Sequence, residues 1–324
     1  MRAAAARYDG RMHGKGINYD TGAWPAGRPT RTAFDPETVR RDMRVIAEEL
    51  RCAAVRVTGG DPERLSVAAR CAAEAGLEVW FAPFPCELPP DRLIPLFADC
   101  ARRAEEVRRT GARVVFVAGA ELSVFARGFL PGDDLFARID GLTRANVTAV
   151  AGPLNAFLGA ALATVRTEFG GPVTYASLPH ERVDWTGFDY VGADAYRAAH
   201  NAGRFRAEIR DLHRHGKPVA VTEFGCCTYR GAADRGARGW MIFDGPPAEG
   251  RLDGAYERDE QEQVRYLREV LPVYEEEGVD RAFWFTFAGY SFPGDLDLAS
   301  YGVVRAHADG TWTPKAAFRA LAEA

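Results

Sequence analysis

Lys217-Pro218-Val219-Ala220-Val221-Thr222-Glu223-Phe224-Gly225 decides how the chain is read. A short run of Val and Ala, opened by Pro and closed by Gly, has the pattern of a strand buried on both faces of a parallel sheet. Glu is poorly suited to that setting, so Glu223 stands out as a side chain kept for chemistry. Residues 113–123, Arg-Val-Val-Phe-Val-Ala-Gly-Ala-Glu-Leu-Ser, repeat the design and carry Glu121. Two carboxylates at the C-terminal ends of two apolar strands, roughly a hundred residues apart, are what a (β/α)8 barrel with a carboxylate pair at its mouth presents.

Working outward, the chain supplies the remaining strands. Residues 14–19, 53–58, 77–82, 172–176, 188–193 and 281–287 are short apolar runs, and helical patterns separate most of them. Asp35-Pro36-Glu37 and Asp61-Pro62-Glu63 each combine a capping Asp, a Pro at the first helical position and an acidic first turn. Further helices are expected over about 91–109, 133–150, 154–169, 202–213, 259–277 and 315–324. Residues 178–187 leave room for at most a turn of helix. The predicted architecture is therefore one α/β domain over residues 1–324: a TIM barrel with a shortened element between strands five and six and a long loop after strand seven. A doubly wound open sheet is the competitor, but residues 14–19 lack its Gly-x-Gly-x-x-Gly phosphate turn.

The 324 residues are 47% hydrophobic and 27% charged, with a net charge of -4, which gives no basic patch for nucleic acid or an anionic membrane surface. Residues 1–9 lack the apolar core of a signal peptide, and no later segment is read as a membrane span, so a cytoplasmic location is expected. The six Cys show no metal-ligand spacing, and the six His avoid strand ends apart from His13. Adjacent Cys226 and Cys227 are read either as small side chains packed under a loop or as a redox-sensitive pair.

A carboxylate pair suits cleavage of a glycosidic bond, where a protonated carboxyl donates to the leaving oxygen and an ionised one attacks the anomeric carbon. Arg56, a cation within the second strand, is the candidate to sit beside the attacking carboxylate; a structural ion pair is the alternative. Tyr196 and Trp284 are candidates to complete the pocket, although a lone Trp is commonly core. Asn18 in the first strand is a further substrate-binding candidate. Trp240 and Phe243 lie in the loop 226–258, which is read as a lid over a bound sugar or as a disordered insertion.

Residues 117–122, 189–196 and 221–225, together with Tyr301-Gly302-Val303-Val304 and Lys315, resemble the retaining glycoside hydrolases of clan A. The resemblance implies that Glu121 is the acid/base and Glu223 the nucleophile, with Arg56, Tyr196 and Trp284 at the strand-two, strand-six and strand-eight positions. That clan usually carries Asn before the acid/base, bonding the sugar 2-hydroxyl; here the position is Ala120. The Gly-x-Glu-Leu version is similar to the β-mannanase-like family 113, which implies a carbohydrate substrate, with β-mannosides among the candidates. No cofactor or metal is implied, because carboxylates run both steps. Ala120 motivates the alternative of a catalytically silent carbohydrate-binding or regulatory barrel.

Overall fold

Capping side chains start the helices where the sequence places them. Asp35 accepts from Thr38 N at 2.8 Å, Asp61 from Glu63 N at 2.8 Å and Asp259 from Gln261 N at 2.9 Å. The computed structural model describes residues 12–25, 28–244, 251–307 and 309–324. The element order is β1 (Lys15–Asp20), α1 (Pro36–Arg44), β2 (Ala54–Gly59), α2 (Pro62–Glu74), β3 (Glu78–Pro83), α3 (Pro90–Arg109), β4 (Val114–Ala120), α4 (Leu122–Phe125), α5 (Leu135–Asp140) and α6 (Arg144–Glu168). β5 (Val173–Ala176), β6 (Val191–Asp194), α7 (Phe205–Leu212), β7 (Val219–Phe224), α8 (Glu260–Glu276), β8 (Arg281–Trp284), β9 (Val304–Ala306), β10 (Trp312–Pro314) and α9 (Ala316–Glu323) follow.

Strands β1 to β8 form one parallel sheet in the order β5-β4-β3-β2-β1-β8-β7-β6. A single parallel bridge, Ser177 to Ala193, brings β5 and β6 together, so the sheet is a nearly closed barrel. No helix lies between these two strands, as the short intervening sequence predicts. Inside the barrel, Trp80 and Phe283 fill the lumen with ring centroids 4.9 Å apart, while Ala54, Ala82, Ala176 and Ala220 leave room for them. This alternation of large and small residues makes the lumen a packed core rather than a pore. At the N-terminal end of the strands, Arg281 donates to Glu78 at 3.0 Å, and Trp80 Nε1 donates to the same carboxylate at 2.8 Å.

Several expectations are corrected. Residues 144–168 form one helix rather than two, because Pro153 lies on the exposed side, where water satisfies the carbonyl that the ring leaves unpaired. By length and mean hydropathy, 1.5, α6 could cross a membrane, contrary to the reading that no segment approaches a span; only 28% of that stretch is buried. Its Ala, Val and Leu content raises the index, and one face packs against α3. The sixth strand begins at Val191 rather than 188: Phe188 packs edge-on against Trp185 at 5.6 Å, and the Asp189 carboxylate accepts from Val173 N at 2.7 Å. The antiparallel pair β9 and β10 was not expected.

Candidate active site

Glu121 is presented by a distortion of β4. The pairing of β4 with β5 shifts register between Val117 and Ala120, and Gly119 takes φ 92°. Glu121 itself is left-handed at φ 46°, a conformation that costs a non-glycine residue about 1–3 kcal/mol and persists where surroundings enforce it. Here three donors fix the turn: Glu121 N to Ala176 O at 2.9 Å, Leu122 N to Tyr175 Oη at 2.8 Å, and Ser123 N to Glu181 Oε1 at 3.0 Å. Glu181, fully buried, also accepts from Tyr175 Oη at 2.9 Å and Leu178 N at 2.9 Å. Burial pushes its carboxyl up, against the pull of these donors.

Glu223 lies near the end of β7, beside a second register shift, at Ala193/Asp194 of β6. Arg56 Nη1 donates to its Oε1 at 2.7 Å, and Tyr196 Oη donates to its Oε2 at 3.1 Å. The same Arg56 nitrogen donates to Asn18 Oδ1 at 2.9 Å, and Asn18 Nδ2 donates to Thr222 O at 3.0 Å. One oxygen each of Glu121, Asp194 and Glu223 lies within 4.8 Å of the others. Burial first, then the negative charges of Asp194, Glu223 and Glu181, pushes the Glu121 carboxyl well above the usual carboxylate range. Asp194 is also pushed well up, by burial and by Glu223, with Arg56 opposing.

The structure thus brings Glu121, Glu223, Arg56, Tyr196 and Asn18 together. Arg56 and Asn18 have 0% exposure and stand under Glu223, with no surface left for a substrate. Asn18 accepts from Arg56, and Arg56 meets Glu223. Trp284 is not in the pocket. Strand alternation turns Phe283 into the lumen and Trp284 outward, where it is fully buried, packs edge-on against Phe224 at 5.4 Å and Tyr266 at 6.2 Å, and donates Nε1 to Tyr301 O at 3.0 Å. The next residue, Phe285, is partly exposed and packs edge-on against Tyr301 at 5.7 Å, which in turn meets Tyr196 at 6.0 Å.

The described part of the loop 226–258 is folded. Tyr301 Oη donates to Gly236 O at 2.6 Å and accepts from Gly239 N at 2.9 Å. Trp240, partly buried, faces Phe136 of α5 at 6.1 Å, and Phe243 stacks on Phe292 at 5.8 Å. The loop is thereby tied to the segments following β4 and β8. Cys226 and Cys227 are fully buried free thiols, and burial pushes both up, which disfavours the thiolate. Sequence reading passed over Asp194, Thr222, Tyr175 and Glu181. An Asp inside the apolar run Val191-Gly192-Ala193-Asp194 carries the same signal as Glu223 and could have been found. Glu181 sits in an irregular segment with no pattern to mark it.

Among the described residues, Glu121, Asp194 and Glu223 are the group whose spacing would suit a cation's ligands. Arg56 already meets that cluster with a positive charge.

No protein-family model matches the chain, and no curated protein matches it. Solved structures do. A GH113 β-1,4-mannanase, determined as a complex, superposes with a TM-score of 0.65 at 16% identity, covering 97% of this chain and 99% of that one. The fold is that of these glycosidases. A β-glucosidase matches at TM-score 0.58 and 12% identity over 95% of this chain and 96% of its own. The β-glucuronidase of Parabacteroides merdae matches at 0.62 and 15%, covering 95% of this chain and 38% of that longer one.

Proposed function

We propose that the protein is a retaining glycoside hydrolase that cleaves a β-glycosidic bond, with residues 1–324 acting as one catalytic domain. The observation that carries this reading is the approach of Glu121 and Glu223 to within 4.8 Å at the ends of β4 and β7. Carboxyl groups about 5–5.5 Å apart leave room for direct attack on the sugar, whereas inverting enzymes need about 6.5–9.5 Å to admit a water.

In the first step, a Glu223 oxygen attacks the anomeric carbon as the glycosidic C–O bond breaks, and Glu121 gives its proton to the leaving oxygen. In the second, Glu121, now a carboxylate, takes a proton from water, whose oxygen displaces Glu223 from the anomeric carbon. Tyr196 and Arg56 hold the two oxygens of Glu223 in place, so one orientation is presented to the sugar. The partly exposed Phe285 offers a ring face to the sugar from the end of β8. Trp240 stands in the loop that would cover the mouth. The shared fold with a β-1,4-mannanase makes β-mannosides the first substrates to try.

Release of nitrophenol from aryl β-mannoside, glucoside, galactoside and xyloside tests this reading. Wild type is expected to turn over at least one, and Glu223→Ala to be inactive and rescued by azide with inversion, which Glu121→Ala is not. Ala120, buried inside the barrel, offers no polar group to a sugar 2-hydroxyl and favours a second reading, glycan binding without turnover. Calorimetric binding of manno-oligosaccharides with no turnover of any glycoside would establish that second reading instead.

A further inference from the structure

Asp194 closes β6 at 3% exposure, deep among the carboxyls of the site. Its Oδ1 accepts from Thr222 Oγ1 at 2.6 Å, whereas its Oδ2, equally buried, has no hydrogen-bond partner. A buried acceptor left unmatched costs about 1–3 kcal/mol, so an orphan at a site of close carboxyls calls for an explanation. The candidate partner is Glu121, one of whose carboxyl oxygens lies within 4.8 Å of an Asp194 oxygen.

Two carboxylates this close, beside a third on Glu223, cannot all be ionised in a site shielded from water, and one proton must be retained. The groups around Glu121 are Asp194 and Tyr196 from β6 and its following loop, Glu223 from β7, and Glu181 and Tyr175 from β5 and the segment after it, with Arg56 of β2 on the far side of Glu223. Arg56 is committed to Glu223 and Asn18, and Tyr196 to Glu223. Thr222 favours the ionised form of Asp194, which leaves the proton to Glu121.

We propose that Asp194 is a positioning residue that holds the catalytic proton on Glu121, by accepting a hydrogen bond from the Glu121 carboxyl at Oδ2 until the leaving oxygen takes its place. This rests on the acid/base role proposed above for Glu121. It also accounts for both half-reactions. In the resting site Asp194 and Glu223 are charged and Glu121 is neutral. In the glycosyl-enzyme Glu223 is an ester and Glu121 is charged. The cluster carries two negative charges throughout, and Asp194 keeps Glu121 basic enough to deprotonate the incoming water.

The test compares wild type, Asp194→Asn and Thr222→Val by the pH profile of kcat/KM and by carboxyl carbon-13 titration without substrate, with Glu121→Gln assigning the resonance. Asp194→Asn removes the neighbouring charge, so the alkaline limb moves to lower pH, with about a tenfold loss of kcat/KM above it. Thr222→Val keeps all three carboxyls but weakens Asp194's hold on its charge. The shared proton then leaves at higher pH, and the plateau of the profile falls as more of the proton resides on Asp194. A Glu121 titration that does not move in Asp194→Asn overturns the proposal, as do limbs that move the same way in both variants. The titration is read without turnover, so an enzyme inactive on every glycoside would sink the hydrolase reading while the shared proton is still decided by the resonances.

Discussion

Arg56 and Glu223 are joined by a 2.7 Å charge-assisted hydrogen bond across the barrel, from β2 to β7, with β1 and β8 lying between those strands in the sheet. The pair is therefore both a closure of the barrel and an alignment of the proposed nucleophile. Arg56→Met is expected to lower kcat/KM at least about 100-fold and to destabilise the protein by about 3 kcal/mol, because it strands a mostly buried carboxylate. Urea unfolding and steady-state kinetics together check this. A large activity loss with unchanged unfolding would assign Arg56 to catalysis alone.

Tyr196→Phe removes one hydrogen bond to Glu223 and keeps the ring against Tyr301. A hydrogen bond to a charged group is worth about 1.5–3 kcal/mol, so kcat/KM should fall about 10- to 100-fold while the melting temperature holds. A change in KM with kcat untouched would mean that the hydroxyl meets the sugar rather than Glu223.

Glu121 and Asp194 both have carboxyls raised in the folded state, so the folded protein binds more protons than the unfolded one above about pH 4. Stability is then lost as pH rises from the unfolded pKa toward the folded one. Glu121→Gln removes part of that loss. It should be indistinguishable from wild type at pH 4 and more stable at pH 8, by about 0.5–2 kcal/mol, as is common where an active-site strain is relieved. Thermal unfolding at the two pH values reads the difference, and a gap that narrows with pH would contradict the assignment.

Tyr175→Phe strips a buried acceptor from Leu122 N and a donor from Glu181. A loss of about 1–3 kcal/mol is expected. Activity should fall with it, because the left-handed turn that presents Glu121 loses one of its fixings. Equal unfolding free energies for variant and wild type would show that the turn stands without the clamp.

The barrel was legible because its strands are short apolar runs bounded by Pro, Gly and capping Asp, and because Glu223 and Glu121 break those runs at equivalent points. Asp194 breaks its run in the same way and was legible too, but was passed over for the aromatic two residues later. What could not be read was orientation. Trp284 looks like a sugar platform until the pairing of β8 with β7 and β1 fixes which face it takes. A one-residue change of phase makes Phe285, not Trp284, the partly exposed aromatic at the end of β8. Arg56 was legible as a cation to stand beside Glu223, whereas the service of Asn18 to Arg56 follows from closure of the barrel, which no local pattern encodes.

The seam between β5 and β6 is closed by side chains as well as backbone: Ser177 Oγ donates to Gly192 O at 2.8 Å, Thr174 Oγ1 to Tyr190 O at 3.2 Å, and the Asp189 carboxylate accepts from Val173 N at 2.7 Å, beside backbone bonds such as Ser177 N to Gly192 O at 3.1 Å. A full crossover helix would carry the chain away from the mouth and around the outside. The abbreviated return instead leaves β5 as irregular backbone beside α4, and Glu181 reaches the Glu121 turn from that segment. The omitted helix and the supported Glu121 turn are one economy. Lengthening the connection to a standard βαβ unit would give the barrel a more regular wall and take away the buttress on which the left-handed Glu121 leans.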